Sequence, residues 1–261
     1  MVPLIAAAVA CVLFGQAVGR LRARGRADVA GWDRIALFAL GLAAMLTALY
    51  SPLDRVAADS LLSAHMLQHV LIGDVAPALF VVAVRGPLVF FLLPAAVLAP
   101  LARNRGVRAV VRTLMRPVVV YVLWAANLAI WHIPNVYDAA LTRPRLHEFE
   151  HVCWLVAGTL VWTVLVDPAR HGRLSVPGRV AFAALLFASG QILTDVLVFS
   201  FTPLYPAYTG AYGISALTDQ QLSGVVMMVD QLLMLGICVA LLLRPRVRRA
   251  VRVRRPEPVR A

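Results

Sequence analysis

Apolar side chains fall along this chain in eight long runs, at residues 2–19, 33–50, 60–83, 87–101, 117–132, 149–166, 178–201 and 222–243, separated by short polar stretches. The runs are continuous and lack the period-two alternation of a membrane β-strand. Most have the length that crosses a bilayer as an α-helix. The pattern predicts an all-α fold, a polytopic transmembrane helical bundle. The exception is 87–101, which is short and holds Pro87, Pro94 and Pro100. Proline removes backbone donors and breaks helix interiors, so this segment is read as re-entrant or interfacial and the other seven runs as spans. The first run has arginines after it rather than before it, the reverse of a secretory signal, and is read as a retained helix.

Composition supports this reading. Of the 261 residues, 61% are hydrophobic and 15% charged, and the mean hydropathy is +0.80; soluble domains carry about a quarter charged residues. A single bundle is expected over 1–243, followed by a basic, disordered, cytoplasmic tail at 244–261. The net charge is +12 and every basic residue is arginine. These arginines sit between apolar runs, so membrane sidedness and anionic headgroups of the lipid bilayer account for them, with no nucleic acid partner. Arg20, Arg22, Arg24, Arg26 and Arg34 flank the first connection and mark it as cytoplasmic. Arg103, Arg105, Arg108, Arg112 and Arg116 fall on that same side only if 87–101 does not cross. The map that results has the N-terminus extracytoplasmic and the C-terminus cytoplasmic.

On this map five of the six histidines lie near the extracytoplasmic face. His65 and His69 are spaced i,i+4, so they share a helix face. His147 and His151 repeat the spacing on another helix, and His132 ends the 117–132 run. Ionisable side chains within a bilayer face a protein interior or a cavity, and neutral imidazole is a common metal ligand. The five histidines are therefore candidate ligands to one metal ion. Spacing alone leaves zinc, copper, iron and nickel open. Met66, Met227 and Met228 are potential thioether donors, though methionine is also a common core filler. Asp74, Asp195, Asp219 and Gln220 are candidate supporting groups, by holding histidine rings or by moving protons. Thr218 to Gln221 fits a capping box, with Thr218 as the cap. Cys11, Cys153 and Cys238 lie in apolar runs without a CxxC pair. Cys153 follows His151 by two, which places them about 200° apart on a helix.

The ordered set AHMLQHVLIGDVAPAL (64–79), WHIPNVYDAAL (131–141), LHEFEHVCWLVAGTLVW (146–162) and DQQLSG–VMM (219–228) resembles the CtaG-type cytochrome c oxidase assembly factors, bacterial seven-helix membrane proteins. The likeness covers roughly 30 to 243. It implies a plasma-membrane protein that is not an enzyme, and that binds copper or delivers it to the catalytic subunit of cytochrome c oxidase. It also implies that His65, His69, His132, His147 and His151 are the metal residues and that Asp219, Gln220 and Gln221 form a family motif. The residues by themselves leave two alternatives. One is an intramembrane zinc hydrolase, which needs an open coordination position for water. The other is a haem protein with histidine axial ligands.

Overall fold

The computed structural model describes residues 2–253. Two long helices, α1 (Val2–Ala23) and α2 (Trp32–Tyr50), precede a short α3 (Pro52–Asp59). Then α4 (Leu62–Val70), a π-helical turn at Leu71–Val75 and α5 (Ala76–Ala83) follow without a break. A 3-10 turn (Gly86–Phe91), α6 (Ala95–Arg103) and α7 (Arg105–Leu114) lead into α8 (Pro117–Trp131). The short α9 (Pro134–Thr142) precedes α10 (Pro144–Val166), α11 (Val176–Phe199) and α12 (Ala216–Val253). Among the described residues the strands are β1 (Gly210–Ala211) and β2 (Ile214–Ser215), a small hairpin before α12.

Six helical stretches are long and apolar enough to cross a membrane: Leu4–Ala23, Ala27–Tyr50, Leu62–Ala83, Pro144–Val166, Val176–Phe199 and Ala216–Arg244. The expected seventh, 117–132, is α8. Its 15 residues reach about 22 Å against a hydrocarbon core of about 30 Å. It attains spanning length only together with α7, from which it bends by 65°. Pro117 at the first turn of α8 marks the break. The protein is thus an all-α polytopic bundle, with seven crossings if the bent pair counts as one. Val110 and Val111 of α7 are exposed, and its arginines occupy the other face of the helix.

The 87–101 segment forms a 3-10 turn and the nine-residue α6, neither long enough to cross. Its start is held at the arginine-rich end. The Arg20 guanidinium donates to the Phe91 and Leu93 carbonyls at 3.2 Å each, and the Gly86 N–H donates to Pro168 O at 2.6 Å. Arg34 likewise donates to Val82 O at 2.8 Å. The connections after α1, α5 and α10 therefore meet at one end of the bundle. The connections at 51–61, 132–143 and 200–215 meet at the other, where Tyr208 donates to Ala57 O and Tyr205 to His132 O.

Outward faces carry exposed apolar side chains such as Leu40, Val156, Ile192, Leu233 and Ile237, as a hydrocarbon solvent permits. Inside, the α4–π–α5 span packs against α2, α10 and α12. Its closest approach is to α10, where a Cβ on Gly158 would lie 1.7 Å from the Gly73 carbonyl oxygen. Helices in membranes approach closely where residues are small, and here the crossing point is the π turn itself.

Two local expectations change. The cap of α12 is Ser215, whose Oγ accepts from the Thr218 N–H at 3.2 Å, so Thr218 already lies inside the helix and the capping box is not formed around it. The stretch from 244, expected to be disordered, is helical to Val253; the rest of the tail, 254–261, lies outside the described residues.

Replacing Gly158 with alanine should force α10 away from the π turn. Overpacking of this kind costs about 1–3 kcal/mol, and the backbone contact gives no soft neighbour to yield. Thermal unfolding of the detergent-solubilised protein should show a clear loss of stability for Gly158→Ala, whereas Gly15→Ala, with nothing near its added methyl, should match wild type.

Candidate metal centre

The two i,i+4 pairs face each other across the α4–α10 contact. Ring centroids are 4.3 Å apart for His65 and His69, 4.3 Å for His147 and His151, and 5.2 Å between His65 and His147. Glu150, one turn beyond His147 on α10, enters the same space, with Oε1 3.6 Å from His69 Nε2. One donor atom each from His65, His69, His147 and Glu150 lie within 4.8 Å of one another. His65, His69 and Glu150 are buried and His147 is partly exposed. The Nε2 atoms of His65, His69 and His147 and Oε2 of Glu150 are buried and lack a hydrogen-bond partner. His151 adjoins the group, 5.5 Å from the His69 ring, with its Nε2 also unpartnered.

Other elements hold these rings in place. The α4 N-terminus has no cap of its own. Asp219 of α12, fully buried, accepts from the Leu62 N–H at 2.6 Å, the Ser63 N–H at 3.1 Å and the Ser63 hydroxyl at 2.5 Å. A carboxylate at a helix N-terminus satisfies free amides and complements the dipole. The Gln68 amide donates to Ala48 O at 2.8 Å and Asp54 Oδ1 at 2.7 Å, which ties α4 to α2 and α3. Tyr208 donates to Ala57 O at 2.7 Å, and its oxygen lies 3.1 Å from His65 Nδ1. With its one proton on Ala57 O, Tyr208 can only accept from His65. Nδ1 is then the protonated nitrogen and Nε2 keeps its lone pair, the tautomer a ligand needs. Burial pushes the phenols of Tyr137, Tyr205 and Tyr208 above the ordinary tyrosine range, so all three keep their protons. Gln220 holds the loop that carries two of them, accepting from the Leu204 N–H at 2.6 Å.

His132 does not join the four. It meets the Trp154 ring at 5.9 Å, while Trp154 contacts His69 at 5.5 Å. His69, His132 and Trp154 line a cavity of about 80 Å³ that extends to Asp74, Asp230 and Gln231. Residues i and i+5 point about 140° apart on an α-helix. The π turn between them narrows that angle, so Asp74 and His69 both reach this cavity.

The sequence model of the cytochrome c oxidase caa3 assembly factors (Caa3_CtaG) matches residues 12–249. The chain belongs to this family. Comparison with curated proteins and with solved structures finds no match.

Within this assembly factor the sequence Asp219-Gln220-Gln221 has a structural explanation. Asp219 and Gln220 do not enter the histidine group; they fix α4 and the tyrosine-bearing loop around it. Asp74 likewise supports no histidine ring. It accepts from the Trp162 indole N–H and lines the same cavity as Asp230. Asp195 is exposed on α11 and accepts from Gln191 at 3.1 Å, away from the histidines. The one-site reading of five histidines thus becomes a group of three with Glu150, His151 beside it and His132 apart. Glu150, not among the sequence candidates, lies within HEFEH, where its i+3 spacing from His147 puts the two on one helix face. Tyr137 and Tyr208, which reach His65, and Tyr205, which packs on Tyr137 and donates to His132 O, have no local signal, since they come from elements distant in sequence.

Removal of the cross-helix cap should loosen the helix that carries His65 and His69. Asp219→Ala is expected to cost about 1–2 kcal/mol, read as a lowered unfolding midpoint in detergent. Asp195→Ala, on the exposed face of α11, should leave that midpoint within error of wild type.

Proposed function

We propose that this caa3 assembly factor binds copper through His65, His69, His147 and Glu150, with His151 alongside, and passes it to the catalytic subunit of the oxidase. The observation that carries the reading is the set of buried imidazole and carboxylate atoms, unpartnered and converging within 4.8 Å. Buried polar groups are ordinarily satisfied, and imidazole with carboxylate is a donor set that a divalent or monovalent transition metal satisfies. When bound, copper would be held here as cargo; the chain's own part is to keep each Nε2 free, through contacts such as Tyr208 to His65, and to exclude water. His147 is the partly exposed member of the four, so the ion enters and leaves past it. The role is one of assembly in the bacterial plasma membrane rather than catalysis, with the oxidase as partner.

Two double variants test this, His65→Ala/His69→Ala and His147→Ala/His151→Ala. Each should lower the copper content of the purified protein by about tenfold or more and leave cells short of active oxidase while the protein still inserts. Normal oxidase activity in both would make the histidines structural. Zinc at unit stoichiometry together with lipid amidase activity would move the protein to the hydrolase class, and a Soret band to the haem class.

The site belongs on the extracytoplasmic side, because the arginine-rich connections gather at the opposite end and positive loops face the cytoplasm. In a cysteine-free background, Arg143→Cys should react with an impermeant thiol reagent applied outside cells, and Asn104→Cys should react only after lysis. The reverse pattern would invert the topology and place the histidines at the cytoplasmic end.

A further inference from the structure

His132 stands outside the four-residue group but has the same unsatisfied chemistry. It is 7% exposed, and its Nδ1 lies 2.8 Å from Leu128 O. A carbonyl accepts only, so Nδ1 carries the proton and Nε2 presents a lone pair. That Nε2 is buried and has no partner. The cavity of about 80 Å³ that His132 lines is also lined by Met66 of α4 and Met227 of α12, 1% and 7% exposed. Methionine as a core filler explains volume. It does not explain why two buried methionines and a histidine with an orphaned ring nitrogen line one small cavity together with Trp154 and Leu128 and, further in, Asp74, Asp230 and Gln231. Thioether with imidazole is a soft donor set, suited to Cu(I) and poorly suited to hard cations.

We propose that His132, Met66 and Met227 form a second metal site, selective for Cu(I) and distinct from the group of His65, His69, His147 and Glu150. The choice of copper rests on the proposed function; the existence of a soft site rests on the cavity and its donors. His69 belongs to the first group, lines the cavity as well, and has both ring nitrogens unpartnered. It is the shared wall through which an ion passes from the nitrogen and oxygen set to the sulfur-containing set without entering hydrocarbon. The ion stays Cu(I) throughout, so no electron is exchanged.

The test uses the full chain in detergent, its methionines replaced by selenomethionine, titrated anaerobically with Cu(I) buffered by a chromophoric chelator and examined by copper-edge X-ray absorption. Wild type should show selenium in the copper shell. Met66→Leu/Met227→Leu, a volume-conserving change, should lose that selenium signal and about one equivalent of Cu(I), while its Zn(II) binding through the first group persists. A wild-type copper shell of nitrogen and oxygen alone overturns the soft site and leaves the proposed function standing. Selenium scattering that persists in the leucine variant also overturns it, because another methionine would then be the ligand. Conversely, His65→Ala/His147→Ala should keep the selenium signal and lose the other equivalent. If that variant binds copper as wild type does, the first site fails and the second stands. Should the leucine variant not fold, judged by size exclusion, the wild-type spectrum decides.

Discussion

Imidazole nitrogens buried without partners, in a protein surrounded by hydrocarbon, are the constraint around which this molecule is arranged. Each such atom costs free energy that an apolar side chain would not. Left to relax, the rings of His65, His69, His147 and His151 would turn toward any carbonyl or hydroxyl in reach. On α4, contacts from other elements prevent this for His65 and His69. Asp219 pins the start of α4, Gln68 ties its middle to α2 and α3, and Tyr208 occupies the Nδ1 side of His65. The rings are thereby held with their free nitrogens turned inward, which is the preorganisation a ligand set requires.

The same end of the bundle is closed by elements too short to span. The α3 segment supplies the Ala57 carbonyl, α9 supplies Tyr137, and the loop at 200–215 supplies Tyr205 and Tyr208. Their phenols bond to one another and to the backbone, so the roof over the histidines is polar and satisfied at those atoms. Beneath it, the Gly73–Gly158 crossing brings α10 against the π turn. That contact sets how far Trp154 enters between His69 and His132, and so separates one group of donors from the next.

In the proposed role, two donor sets of different softness on either side of His69 would suit a protein that holds an ion in order to release it. A single tight site retains its metal; adjoining sites of differing affinity offer a path with small steps. Asp74 and Asp230, each partly buried, line the inner end of the cavity, where Asp74 accepts from the Trp162 indole N–H. In the proposed role this inner end stays shut, and exchange with the oxidase takes place at His147.

Local sequence determined the helices, their membrane character and the segregation of arginines. Each of these depends on residues adjacent along the chain, through apolar run length and the charge of connections. The pairing of His65 with His69 and of His147 with His151 was legible for the same reason, because helical periodicity acts within one turn. Even the refusal of 87–101 to cross could be read from its prolines and flanking arginines. What the chain order could not contain was which helices touch and at what depth. Asp219 looked like a group for the metal cavity and proved to be a cap on a helix 157 residues away, because capping requires only an unsatisfied N-terminus nearby in space. Asp195 looked intramembrane and polar, and α11 turns it outward. His132 shared its depth with the other histidines, and the Trp154 ring sets it apart. Tertiary packing decided these outcomes, because ligand geometry depends on the relative rotation of helices about their axes, and that rotation is set by close contacts such as Gly158 on Gly73, which no single segment encodes.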